Sequence, residues 1–111
     1  MMKYGLLFLN NGVWNGNRVI SQEWVEASWE DYIFPSTHSG MADGYGYLWW
    51  VQTFNVNSRT IESFSARGWG GNEIYVFPDY DMVVVLSGSN YTGRYQPTEM
   101  LRDYILPAII N

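Results

Sequence analysis

Cysteine is absent from the chain, which removes disulfides, thiolate metal sites and cysteine nucleophiles together. The same absence leaves the compartment open, cytoplasmic or periplasmic. Basic residues are scarce too: six Lys and Arg stand against eleven acids, for a net charge of −5. They are scattered and form no stripe, so nucleic acid is not expected as a partner. Long apolar runs are missing, and nothing approaches the roughly 18 residues that a membrane span requires. The opening "MMKYGLLFLN" has no cleavage-type ending and does not read as a signal peptide. Histidine occurs once, as His38 in the polar loop "STHSG", where it reads as solvated. With one His, no Cys, and Asp79 and Asp81 reading as turn formers, neither a metal nor a cofactor is expected. "DGYGY" and "PDYD" also lack the calcium-loop spacing that ends in a bidentate Glu.

What the chain has in abundance is aromatic side chains. Six Trp, nine Tyr and five Phe fall within 111 residues, more than one modest core takes in. Each Trp and Tyr also carries a polar tip that needs a partner when buried. Some of these rings are therefore expected at a cleft or an interface. Charged content of 15% against 47% hydrophobic argues for a folded chain and against disorder. No repeat or linker divides it, so residues 1–111 are read as a single domain.

Local patterns place the elements. "KYGLLFL" has apolar residues at helical spacing and is stopped by "NNG". Asn15-Gly16, between the short pairs of "VWNGNRVI", suits the positive φ of a tight hairpin. Ser21 caps a short helix in "SQEWVEASW". Glu30 to Gly44 reads as a loop. Strands are expected from "YGYLWWVQTF", Thr60 to Ala66, Glu73 to Phe77, and Met82 to Leu86, with "PDYD" as the last turn. "MVVVL" is continuously apolar, as in a strand covered on both faces. In "QPTEMLRDYILPAII", Met100, Leu101, Tyr104 and Ile105 form the expected buried stripe of a final helix. The class is α+β: an antiparallel sheet of about four strands, packed with helices from both chain ends.

The densest motif is "SARGWGGNEIYVFP". Its glycines lie before a strand, whereas phosphate-binding loops open a helix, so a nucleotide reading fails. No Gly-x-Ser-x-Gly elbow accompanies the single His. The acid pairs Glu30 with Asp31 and Glu99 with Asp103 read as solvated. Residue patterns alone assemble no complete catalytic set.

Four segments in order carry a resemblance: "MMKYGLLFLNNGVWNGNRVISQEWVEAS", "YGYLWWV", "FSARGWGGNEIYVFPDYDMVVVLSGSNY" and "LRDYILPAI". Together they resemble the C-terminal third of the serine β-lactamase-like hydrolases, which include class C β-lactamases, penicillin-binding proteins and related esterases and amide hydrolases. The resemblance implies a partial β-lactamase-like fold. It also implies a chemistry with a Ser-x-x-Lys nucleophile, a Tyr-x-Asn proton-transfer residue, and a Lys-Thr-Gly-type strand beside the substrate. The first two have no counterpart: Lys3 is the only lysine, and no Tyr has Asn two places on. The third has one in Ala66, Arg67 and Gly68, which implies Trp69 as the residue supplying the oxyanion-hole N–H. Ala66 in place of lysine points away from carboxylate binding of the penicillin type and toward the esterase or amidase branches. Arg67 is read two ways, as an anchor for an anionic group or as a surface arginine at a strand end.

The expected function is therefore the C-terminal portion of a serine hydrolase, inactive alone, whose partner is the missing N-terminal part or a second copy. The competing expectation is a stand-alone binding or protein-interaction module using Tyr45, Tyr47, Trp49, Trp50 and Trp69. Because neighbouring strand residues face opposite ways, Trp49 and Trp50 cannot both serve such a platform.

Overall fold

The computed structural model describes residues 1–32, 43–93 and 97–110. His38 and most of the loop around it lie outside the described residues. Helix α1 (Met2–Leu9) ends where "NNG" begins, with the Gly12 amide donating to the Leu7 carbonyl at 2.8 Å. Strands β1 (Val13–Trp14) and β2 (Asn17–Arg18) form the expected hairpin, with φ of 49° at Asn15 and 76° at Gly16. These angles are those of a two-residue turn whose twist matches its strands. Helix α2 (Gln22–Ser28) is capped by Ser21, whose Oγ accepts from the Trp24 amide at 3.1 Å.

The main sheet is antiparallel and runs in chain order: β3 (Gly44–Tyr45), β4 (Trp50–Val56), β5 (Arg59–Gly68), β6 (Asn72–Phe77) and β7 (Met82–Leu86). It has five strands, against the four or so expected. The additional one is β3, too short for its pattern to separate from β4 in the sequence. It pairs with β4 through Gly44–Val51 and Tyr45–Trp50, and Tyr45 is also tied back by its amide to Asp31 Oδ1 and by its carbonyl to the Tyr32 amide.

Alternation along each strand sorts the side chains into two faces. Phe54, Val56, Ile61, Tyr75 and Phe77 meet Leu101, Leu106 and Ile110 of the C-terminal helical segment on one face. Trp49, Phe64, Ile74 and Val76 meet Phe8, Leu9 and Trp29 on the other. Helix α1 comes so close there that a Cβ on Gly5 would lie 2.6 Å from Val83 Cγ1. The sheet is thus sandwiched by helices from the two chain ends, as the "MVVVL" pattern requires. Met82, Val84 and Leu86 serve one core, and Val83 and Val85 the other. All five stay only half-buried, because β7 is an outer strand.

The final helix departs from the expected stripe. It runs as α3 (Pro97–Met100), a π-helical turn (Leu101–Ile105) and α4 (Leu106–Ile109). The fully buried residues are Leu101 and Leu106, while Met100 and Tyr104 are exposed. Pro107 has no N–H for the carbonyl one turn back, and its ring would strike that turn. A wider π turn relieves both problems and moves the inward positions to a spacing of five. Polar tips among the buried rings are otherwise well served. Among the described residues, Trp29 Nε1 is the buried side-chain polar atom without a hydrogen-bond partner.

Candidate functional site

The C-terminal helices cover only part of their sheet face. Beyond Phe54 and Ile61, the same face carries Gln52, Ser63, Ser65, Arg67, Glu73 and Tyr75, set side by side by strand register. Arg67 and Glu73 of this band, with the fully buried Ser63, Ser65 and Tyr75 beneath them, floor a cleft of about 530 Å³ lined also by Trp50, Asn90, Tyr91 and the Gly68–Gly71 turn, among others. A cleft of that size is in the range of small-molecule sites.

The floor is internally bonded. Arg67 Nε donates to Ser65 Oγ at 2.9 Å, and its Nη2 donates to Gln52 Oε1. The guanidinium lies 5.5 Å from the Tyr75 ring centroid and 5.9 Å from that of Trp50, within cation–π range. Ser63 Oγ donates to the Gln52 carbonyl at 2.9 Å. The Tyr75 hydroxyl donates to Glu73 Oε2 at 2.5 Å and lies 2.9 Å from Thr98 Oγ1, tying the sheet to the start of α3. Glu73 is buried, at 8% exposure. A carboxylate taken from water is costly unless hydrogen-bonded, and the phenol supplies such a bond. Burial drives the Tyr75 phenol well above its ordinary value of 10.0, with Glu73 reinforcing the shift and Arg67 opposing it. At neutral pH the phenol is therefore a donor and cannot act as a base.

The rim is shaped by the turn between β5 and β6. Gly70 and Gly71 have φ of 81° and 85°, a region that favours glycine. A Cβ on Gly70 would also stand 2.6 Å from Tyr91 Cε1. The Gly70 carbonyl accepts from the Asn90 amide at 3.0 Å. Asn72 braces the turn from below, donating to the Trp69 and Gly88 carbonyls at 2.9 and 3.0 Å. Trp69, held at the tip, is 80% exposed and stacks on Tyr91 at a centroid separation of 6.4 Å.

The residues singled out from the sequence separate. Arg67, Gly68 and Trp69 line the cleft, whereas Ala66 packs in the opposite core beside Phe64 and Ile74. Trp49, just ahead of β4, is core, and Trp50, the first residue of β4, lines the cleft on the other side of the sheet. Tyr45 lies against Trp50 at 4.3 Å. Tyr47 belongs to a different surface group, stacked on Tyr32 at 5.1 Å and near Trp24. The hydrogen bond with Tyr47 pushes the Tyr32 phenol up to about 12. Sequence reasoning passed over Glu73, Tyr75, Asn90 and Tyr91. A hairpin centred on Gly70 would have revealed the first two, because that register sets Glu73 against Arg67 and Tyr75 against Ser65. Nothing local in "SGSNYTG" points to Tyr91.

Among the described residues, no three His, Asp or Glu side chains are grouped to hold a metal ion. No protein-family model matches the chain, and no curated protein matches it.

Proposed function

We propose that this chain is the C-terminal sheet-and-helix portion of a β-lactamase-like serine hydrolase, forming one wall of an acyl-transfer cleft. The observation that carries the reading is the position of Gly68 and Trp69, at the end of β5 on the rim of a cleft. A backbone N–H there is a preorganised dipole of the kind that stabilises a developing oxyanion. The nucleophile and base it would serve are not among this chain's residues, so the chain by itself is catalytically silent. Pure protein should show no turnover of nitrocefin or p-nitrophenyl esters above buffer. Turnover that a serine-directed acylating reagent abolishes would overturn the reading. The DNA upstream of the Met1 codon gives a second test, because the reading expects an in-frame continuation encoding Ser-x-x-Lys and Tyr-x-Asn.

The exposed Trp69–Tyr91 pair favours a second reading, in which the same cleft is the ligand site of a stand-alone binding module. Binding without any in-frame continuation is the result that selects it.

A further inference from the structure

We infer that the cleft between Trp69, Tyr91 and the Arg67–Glu73 pair binds an uncharged, hydroxyl-rich ring: a pyranose sugar unit. The inference names the ligand class of the site proposed above, and rests on that cleft being a ligand site.

Charge balance comes first. Arg67 and Glu73 are cross-strand partners, so the floor carries one positive and one negative group side by side. The guanidinium directs Nε to Ser65 and Nη2 to Gln52, and the carboxylate takes the Tyr75 hydroxyl. A floor neutralised within itself gives a net-charged ligand no advantage. It does present polar edges held in fixed positions, which suit hydroxyl groups donating and accepting at once.

The rim supplies the complementary half. Trp69 leaves most of a large apolar ring in water, and with Tyr91 stacked beside it it offers an aromatic face to a ligand in the cleft. The turn beneath it is pinned by the Asn72 bonds and by the Asn90 amide, so the indole is presented from a rigid base. Tyr91 beside it extends the apolar surface. A pyranose has an apolar C–H face to lie on such rings and hydroxyls around its edge to meet Glu73, Asn90 and Thr92, all of which line the cleft. A flat aromatic ligand would bring no hydroxyls to those polar groups, and an anion would face Glu73.

The test is titration of the intact chain with methyl β-glucoside, cellobiose and the N-acetylglucosamine disaccharide, followed by saturation-transfer NMR and tryptophan fluorescence. Benzoate and cyclohexanol serve as the charged and the hydroxyl-free controls. The expected result is saturable binding of at least one sugar, with transfer strongest to protons on one ring face and none to either control. Trp69→Ala should weaken binding by about tenfold or more, while Trp69→Phe keeps most of it. Because Trp69 is exposed, both variants should melt like the parent, so lost binding is not lost folding. Absence of transfer to all three sugars overturns the inference, as does binding unchanged in Trp69→Ala or benzoate binding more tightly than the sugars. A null titration leaves the hydrolase reading standing, and ester turnover by the pure chain would overturn that reading without touching the titration.

Discussion

Replacing Tyr75 by Phe tests whether the floor of the cleft is held together as described. The substitution keeps the ring in its core, where Tyr75 is fully buried beside Phe54 and Phe77, and removes only the hydroxyl. Two contacts go with it: the 2.5 Å bond to Glu73 Oε2 and the 2.9 Å contact with Thr98 Oγ1. A hydrogen bond to a charged group contributes about 1.5–3 kcal/mol, and a buried acceptor left without its donor keeps its full desolvation cost. The expected loss is therefore about 2–3 kcal/mol, a large share of the roughly 5–15 kcal/mol that holds a small domain together. Urea melts followed by tryptophan fluorescence would measure it, and the melting temperature should fall by about 8–12 °C. Glu73→Gln separates charge from shape, since an amide oxygen still accepts from the phenol. In that background Tyr75→Phe should cost only about 1 kcal/mol, the value of a neutral bond. The difference between the two backgrounds is the coupling that the geometry demands. If Tyr75→Phe costs under about 0.5 kcal/mol, or the same in both backgrounds, the bonded floor is not what stabilises this part of the sheet.

The same phenol makes a pH prediction. Its proton is held more tightly in the folded state than in the unfolded chain, so its contribution is fully present below pH 10 and is lost as pH rises toward the folded value. Stability should fall above about pH 10, by at most about 1.4 kcal/mol per unit for this group, and Tyr75→Phe should flatten that limb of a melting-temperature profile. Leu106→Ala removes a fully buried side chain from the helix–sheet core and should cost about 2–5 kcal/mol in the same urea melts. Gly70→Ala meets both an unfavourable φ and the Tyr91 ring; a loss of about 1–2 kcal/mol is expected, with Tyr91 resonances moved in NMR spectra. A melt unchanged in either variant would show that the packing around that residue is not as described.

Much of the local structure follows from nearest neighbours in the sequence. Ser21 caps α2 because its hydroxyl reaches an amide three residues on. Asn15-Gly16 turns because both residues tolerate positive φ, and "NNG" ends α1. Trp49 and Trp50, neighbours at the start of β4, point to opposite sides of the sheet. These outcomes depend on a few consecutive residues, so a linear reading recovers them.

The rest depends on which strands pair and what covers them. The stripe Met100, Leu101, Tyr104 and Ile105 assumed regular helical spacing, and the π turn ahead of Pro107 moved burial to Leu101 and Leu106. Glu73 looks like any strand acid until the hairpin register sets it against Arg67 and the tertiary fold withdraws it from water. Ala66 and Arg67 are adjacent in the motif yet lie on opposite faces of the sheet, so only one of them belongs to the cleft. Tyr91 reaches Trp69 because the segment after β7 folds back over the Gly70 turn. Sequence by itself determined most of the elements and the class, α+β, through local sterics and hydrogen bonding, but not the short strand β3 or the π turn. Only the tertiary structure decided which side chains share a site, because burial and register are properties of pairs of residues far apart in the chain.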